Sequence, residues 1–399
     1  MSTIGNSTTQ SMLDLIRSVF WGGDVPTINI DVINEMRLHA IATLAADVLL
    51  RTKISPDVKD AAKSIILQQL AYTAHYRFEQ DRLPLTVPYV VLKGTSAAQY
   101  YPNPHYRTMG DIDIMTRRED YDAACSSLTL HGYKECAETE RTNGRHRSFH
   151  KSGIEVEVHA FFALLNDPKK AELLDDLIID NINNTHVLPD NVNGLTLLEH
   201  IAQHMEGGLG LRQIIDWMMF AHQCLQNEEW PLFRTMARSI GLETLAIVVT
   251  KMCKMYLGLP GCDWCENADE KSCVELMDYV LSCGNFGQKQ TNSTGTNVLV
   301  YARKPIAMFY LLQDRGLANW NAAKKHKFLR PFAWAYQIIR YVRKGIGREA
   351  AVNTLVDEYE TAKKRSLLFD KLNVKQTFKG IAVYQNGKYQ KSYQRPFNK

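Results

Sequence analysis

Two aspartates spaced two residues apart, Asp111 and Asp113, carry the most specific chemistry in this sequence. They alternate with Ile112 and Ile114, a pattern typical of a β-strand whose successive side chains point to opposite faces. Both carboxylates would then lie on one face, where like charges repel each other. Because Mg²⁺ binds carboxylate and phosphate oxygens together, the pair predicts a metal site that also receives phosphate.

A second alternating stretch supplies a candidate third acid. Residues 154–159 read Ile-Glu-Val-Glu-Val-His, which places Glu155, Glu157 and His159 on one face of a predicted strand. A strand that faces solvent on one side has the same pattern. The stretch therefore points to a metal site only if it lies beside the two aspartates.

A turn upstream of the aspartates is suited to phosphate. The apolar residues 87–92 predict a short strand, and the turn after it consists of Lys93, Gly94, Thr95 and Ser96. A helix that begins there would present unpaired N–H groups and a positive dipole end, which favour an anion. Glycine lets the backbone approach a ligand closely, and the two hydroxyls can add hydrogen bonds.

Taken together, these motifs resemble the nucleotidyltransferase superfamily typified by DNA polymerase beta. More narrowly, they resemble the bacterial "uncharacterised nucleotidyltransferase" family, which carries a lysine–glycine turn, an arginine before an Asp-x-Asp strand, and a Glu-x-His strand. The matching residues are Lys93, Gly94, Tyr101, Pro102, Arg107, Asp111, Asp113, Glu157 and His159. The resemblance covers roughly residues 30–340, and its motifs lie within 92–159. The turn here is Gly-Thr, where the superfamily more often has Gly-Gly or Gly-Ser.

The resemblance implies an enzyme that moves a nucleoside monophosphate from an NTP such as ATP to an acceptor hydroxyl or phosphate, releasing pyrophosphate. Asp111, Asp113 and Glu157 would be the catalytic acids and the ligands of Mg²⁺ or Mn²⁺, with Glu155 as the fallback for the third acid. The residues expected to bind nucleotide and phosphate are Lys93, Gly94, Thr95, Ser96, Arg107 and Arg212.

The two arginines leave alternatives open. Arg107 could bind phosphate through its planar fork, or it could form a salt bridge that orients Asp111 or Asp113. Arg212 lies four residues before Asp216 on a predicted helix, so the two are expected to form an ion pair.

Two further groups have metal-ligand residue types. His200 and His204 lie one helical turn apart, but the glutamate of a His-Glu-x-x-His site is missing, so we interpret them as contacts to the nucleotide. The eight cysteines include Cys262 and Cys265, but there is no second Cys-x-x-Cys pair. This spacing favours plain thiols over a zinc site.

Composition indicates a soluble globular protein: 45% of the 399 residues are hydrophobic and 23% are charged. No apolar run approaches the roughly 20 residues that span a bilayer, and residues 1–10 carry no charge, so a cytoplasmic location is expected. A net charge of +4 is too small to imply nucleic acid by itself. The basic residues of 324–348 alternate with aromatics, a pattern that could bind nucleic acid or a lipid surface, although an amphipathic helix is the favoured explanation. The oligomeric state is not predicted.

The apolar spacing predicts an α+β fold, with a small mixed sheet flanked by helices. The expected units are a helical segment over 1–84, a nucleotidyltransferase core over 85–165, a helical domain over 166–362 and a basic, partly disordered tail over 363–399. In the first unit, Asp31 is expected to cap a helix that runs on to Val48. The next helix is expected to face Ile66, Leu67 and Leu70 inward.

Two rival functions remain open from the sequence. One keeps the chemistry and makes tRNA or a protein the acceptor, as in a toxin or modifying enzyme. The other is a nucleotide-binding protein without catalysis. The acceptor could also be a small molecule, and the sequence does not indicate whether it is a small molecule, tRNA or a protein.

Overall fold

The computed structural model has the predicted α+β fold, in which one mixed sheet lies among many helices. The residues that the structure describes are 3–136, 145–165, 167–289, 309, 312–313, 316–317, 319–345, 363–374, 381–385 and 388–392. No helix among them is both long and apolar enough to cross a membrane.

The sheet has five strands, in the order β1-β2-β5-β4-β3. The strands are β1 (Tyr89–Leu92), β2 (Ile112–Thr116), β3 (Lys134–Glu135), β4 (His146–Lys151) and β5 (Ile154–His159). β2 pairs antiparallel with β1 and parallel with β5, and β5 pairs antiparallel with β4. All five residues of β2 are buried, as expected for a central strand covered on both faces.

The N-terminal segment contains α1 (Ser7–Trp21), α2 (Ile30–Leu38), α3 (Ala42–Arg51) and α4 (Pro56–Gln80). The single helix expected to reach Val48 is therefore two helices. Ala40 lies between them with φ +56°, a left-handed conformation that interrupts the helical hydrogen-bond ladder. The cap also differs, because the Asn29 side chain, not that of Asp31, accepts the Val32 N–H at 3.1 Å.

Helix α4 buries only part of the face expected to be inward: Ile66 is buried as predicted. Leu67 and Leu70 are exposed, at 67% and 39%, whereas Gln69, Thr73 and Tyr76 are buried. The prediction that Leu67 and Leu70 face inward is wrong. The physical reason is that α4 packs on a loop whose carbonyl groups need hydrogen-bond donors, and leucine has none.

Two helices lie between the strands of the sheet, α5 (Gly94–Ala98) and α6 (Tyr121–Leu130). The chain after the sheet is mainly helical and contains α7 (Pro168–Asp180), α8 (Asp190–Gly207), α9 (Leu211–Cys224), α10 (Trp230–Ile240), α11 (Glu243–Leu257) and α12 (Glu270–Cys283). One continuous apolar cluster joins α1, β1 and α8–α12, with Trp217 fully buried in it. The unit boundaries at 84, 165 and 362 stay a prediction. The eight cysteines all lie in the described part of the chain, and none of them forms a disulfide.

Beyond α12 the structure describes shorter pieces. These are the helices Asn321–Lys325 and Ala333–Gly345, a helix over 363–371, and a hairpin of Ile381–Gln385 with Lys388–Ser392. The tail expected to be partly disordered thus contains a helix and two strands, and its residues 375–380, 386–387 and 393–399 lie outside the described residues.

Candidate active site

The three predicted acids meet at the centre of the sheet. Asp113 lies directly across from Glu157 in the parallel pair β2–β5, and Asp111 directly precedes β2. One carboxylate oxygen from each of Asp111, Asp113 and Glu157 lies within 4.8 Å of the others. Glu155, an exposed residue on the same strand, does not belong to this group within the described chain.

Asp113 is the buried member of the group and is held by two donors. The Lys93 ammonium lies 2.8 Å from its Oδ1 atom, and His159 Nε2 lies 2.9 Å from the same oxygen. Burial alone would lower the pKa of Lys93 and of His159, but the neighbouring carboxylates outweigh it and raise both values. The two donors compensate the buried negative charge. The Lys93 ammonium, predicted to bind phosphate, is thus engaged by Asp113.

Glu157 lies between two histidines, of which His159 favours its ionised form. His146 Nε2 and His159 Nε2 lie 3.3 and 3.4 Å from its two oxygens. Burial would raise the pKa of Glu157, but the hydrogen bond and the charge of His159 outweigh it and lower the pKa to about 2. Burial lowers the pKa of His146 to about 4, and the charge of His159 adds to this effect. At neutral pH, Glu157 therefore has the charge that a metal ligand requires.

The donor set fits a divalent cation. Three carboxylates offer hard oxygen ligands, which suit Mg²⁺ and Mn²⁺ better than softer metals. Asp111 and Glu157 are only partly buried, so that phosphate oxygens can reach the same point. His146 and His159 form a second group with Glu157, whose ligand atoms also lie within 4.8 Å of one another.

The glycine turn lies against α4. Lys93 and Gly94 both have positive φ, +54° and +37°, and a Cβ atom on Gly94 would lie 2.6 Å from the Tyr76 hydroxyl oxygen. The Thr95 hydroxyl donates to Gln80 at 2.9 Å. The Ser96 hydroxyl donates to Asn193 of α8 at 2.9 Å. The two hydroxyls predicted to bind phosphate thus connect the turn to α4 and α8.

Three side chains of α4 hold the segment that leads into Asp111. Gln69 donates to the Arg107 carbonyl at 3.2 Å, and Tyr72 donates to the Gly110 carbonyl at 2.9 Å. Tyr76 donates to the carbonyl of Asp111 itself at 3.1 Å. Sequence reasoning missed these residues, although their spacing of three and four places them on one helical face. The sequence feature that could have identified them is this spacing of side chains that end in a hydrogen-bonding group.

We expect Gly94→Ala to destabilise the protein by about 1 to 3 kcal/mol, because alanine is strained at this φ and its methyl group meets Tyr76. Tyr76→Phe loses the hydrogen bond to Asp111 but removes the clash, since the nearest ring carbon lies 3.6 Å from the new Cβ, an ordinary contact. The double variant should therefore lose less stability than the sum of the two single variants. Urea unfolding of the wild type, both single variants and the double variant measures the coupling. Strictly additive free energies would contradict the contact.

Arg107 differs from both interpretations given above. Its Nε and Nη2 atoms bind the two oxygens of Asp216 at 2.7 and 2.6 Å, and both residues are buried. Tyr101 donates to the same carboxylate at 2.6 Å. The expected ion pair between Arg212 and Asp216 is therefore wrong, because Arg107 takes the carboxylate with ideal fork geometry.

Arg212 lies beside this pair with fewer partners. It is 8% exposed, and Nη1 donates to the Thr108 carbonyl at 3.3 Å. Within the described residues, its Nε atom has no hydrogen-bond partner. Burial lowers the pKa of Arg212, and the charge of Arg107 adds to this effect. A buried guanidinium with a spare donor is suited to an anionic ligand.

Helix α8 borders the site with polar side chains. The Nε2 atoms of His200 and His204 lie 2.8 Å apart, so the two rings share a hydrogen bond, and they join no metal-ligand group in the described chain. Gln203 accepts a hydrogen bond from Arg145 Nη2 at 3.1 Å. Arg145 thus reaches from the residue before β4 to α8. Residues 137–144, between β3 and β4, lie outside the described residues.

The buried carboxyl of Glu199, also on α8, predicts a pH-dependent stability. It accepts the Leu164 N–H at 2.8 Å, and burial raises its pKa from 4.5 to about 7. Between these two values the folded protein holds a proton that the unfolded chain has lost. Stability should therefore fall as pH rises through this window, by roughly 1 to 3 kcal/mol.

Glu199→Gln cannot ionise and should flatten that profile. Urea unfolding at pH 5 and pH 8 compares the two proteins. An equal loss of stability in the wild type and in Glu199→Gln would show that another group titrates.

A family comparison agrees with this geometry. Residues 33–258 match the model of a family described as "uncharacterised nucleotidyltransferase", and the matched span contains every acid of the site. No curated protein and no solved structure matches the chain. Because the match covers more than half of the sequence, the chain belongs to the uncharacterised nucleotidyltransferase family, and the protein is a transferase.

Proposed function

We propose that this protein transfers a nucleoside monophosphate from an NTP, in the presence of Mg²⁺ or Mn²⁺, to an acceptor hydroxyl or phosphate. The observation that carries the proposal is the convergence of Asp111, Asp113 and Glu157 within 4.8 Å of one another. Lys93 and His159 offset the charge of Asp113, and a divalent cation would reduce the repulsion that remains among the three carboxylates. Lys93 of the glycine turn contacts Asp113, so the turn borders these acids, and we assign its backbone N–H groups to the phosphates of the NTP.

The three acids have different roles in this proposal. Asp113 is fixed by Lys93 and His159, so that its carboxylate is already oriented before substrate binds. Asp111 and Glu157 present partly exposed oxygens beside it. A divalent ion, when bound, would neutralise the phosphate charge that these acids would otherwise repel.

On the substrate side, we assign phosphate contact to the Gly94 backbone and to Arg212. Lys93, Thr95, Ser96 and Arg107 have protein partners, so we assign them to positioning. In the reaction, the acceptor oxygen attacks the α-phosphorus as the bond to the bridging oxygen breaks. Pyrophosphate leaves with that bond's electron pair, and the acceptor proton passes to solvent. Positioning and charge neutralisation supply most of the rate.

The test is a pyrophosphate-release screen. Each of the four NTPs is incubated with Mg²⁺ or Mn²⁺ and one acceptor class: small-molecule hydroxyls and phosphates, proteins, or tRNA. An α-³²P label then follows the transferred group. Label on tRNA or protein would identify a modifying enzyme, and NTP binding without release in every class would contradict catalysis.

A further inference from the structure

Phe286 is an exposed aromatic residue in a strained conformation. It lies in the short turn Asn285–Gly287 with φ +52° and ψ +32°, and 51% of its surface is exposed. A bulky side chain at positive φ is an outlier, and an exposed ring does not gain the favourable free energy of burying apolar surface. Such costs persist where the surroundings enforce them, often at ligand sites.

The turn is pressed onto the junction of α8 and α9. A Cβ atom on Gly208 would lie 2.3 Å from the Gly287 nitrogen, and one on Gly210 would lie 2.8 Å from the Asn285 Cα. Two glycines thus allow the backbone of the turn to approach this closely. The position of Phe286 is therefore fixed by tertiary packing.

The ring lies beside the buried arginine of the site. The Arg212 guanidinium carbon is 5.3 Å from the ring centroid of Phe286, and the His204 ring meets it edge-on at 4.9 Å. Arg212 also bonds the Thr108 carbonyl, in the segment that leads into Asp111. Arg212 is thus a buried cation with a spare Nε donor that contacts the ring. Its Nη1 atom lies 3.9 Å from the Cβ position of Gly110, the residue before Asp111.

We propose that Phe286 is the stacking surface for the nucleobase of the NTP. This rests on the proposed function and adds the base subsite to it. An NTP has a polyanionic end that needs cations and a planar end that stacks on aromatic rings. Phosphates held between the acids and Arg212 would direct the base towards Phe286. Stacking is tolerant of base identity, so all four NTPs should bind with similar affinity.

The test measures dissociation constants by calorimetry with Mg²⁺, for each of the four NTPs and for inorganic tripolyphosphate. Phe286→Ala and Phe286→Leu should raise the NTP dissociation constant about tenfold, whereas Phe286→Tyr should stay near wild type. The affinity for tripolyphosphate should not change in any of the three, because this ligand has no base. The three variants keep a non-glycine residue at the strained position 286, so differences in NTP affinity among them arise from the side chain.

Phe78→Ala is the matched control. Phe78 is 50% exposed and lies 4.2 Å from the Arg82 guanidinium, but on the face of α4 away from Tyr76. The Phe78→Ala variant should therefore bind each NTP with the same affinity as the wild type.

Unchanged NTP affinity in Phe286→Ala, or an equal loss for tripolyphosphate, would overturn the base subsite. In that case, wild-type NTP binding and turnover that depends on Asp113 would leave the proposed function intact. A wild-type protein that binds no NTP would overturn both.

Discussion

Asp113→Asn is expected to lower turnover roughly a thousandfold or more while the fold survives. Asparagine keeps the shape of the side chain, and its oxygen can still accept hydrogen bonds from Lys93 and His159. What it loses is the negative charge of the buried member of the three-acid group, which two donors hold in place. Lys93 and His159 retain Glu157 as a nearby anion, which limits the loss of stability. The measurement is pyrophosphate release in the acceptor class identified by the screen.

Asp175→Asn is the matched control for this experiment. Asp175 is equally buried, but its carboxylate accepts the backbone N–H groups of Phe162 and Ala163, both at 2.9 Å. The substitution should lower stability and leave turnover per folded molecule near that of the wild type. An active, folded Asp113→Asn protein would remove the metal-binding acids from the mechanism.

Breaking the pair of Arg107 and Asp216 should give the largest loss of stability, about 3 to 5 kcal/mol for either Arg107→Met or Asp216→Asn. The cost arises because the remaining charge stays buried without its partner. Activity should fall as well, since the segment that Arg107 anchors leads directly into Asp111. Urea unfolding measures the first effect, and turnover measures the second.

The double variant Arg107→Met with Asp216→Asn tests the cause. It contains neither charge, and the asparagine oxygen still accepts the hydrogen bond from Tyr101. Its stability should therefore exceed that of at least one single variant. Losses that simply add would mean that the two charges do not interact.

The local part of the site could be predicted from the sequence, because strand periodicity assigns side chains to faces. The two-residue spacing of Asp111 and Asp113 puts them on one side of β2, and the alternation of 154–159 does the same for Glu157. The register that pairs Asp113 with Glu157 then brings all three together. The family resemblance indicated Glu157 and not Glu155 as the third acid, and in the structure Glu157 lies beside the two aspartates.

Contacts between distant segments could not be predicted in this way. Helical spacing paired Asp216 with Arg212, but the folded chain pairs it with Arg107, 109 residues away. Apolar periodicity predicted that Leu67 would be buried. Instead, the buried face of α4 carries Tyr76, whose hydroxyl donates a hydrogen bond to the Asp111 carbonyl.

By itself, the sequence determined which residues share a face and which chemistry those faces support. Only the tertiary structure decided which partners meet across the site. The physical reason is that periodicity is a property of one element, whereas burying a carboxylate or a carbonyl group requires a donor from whichever element packs against it.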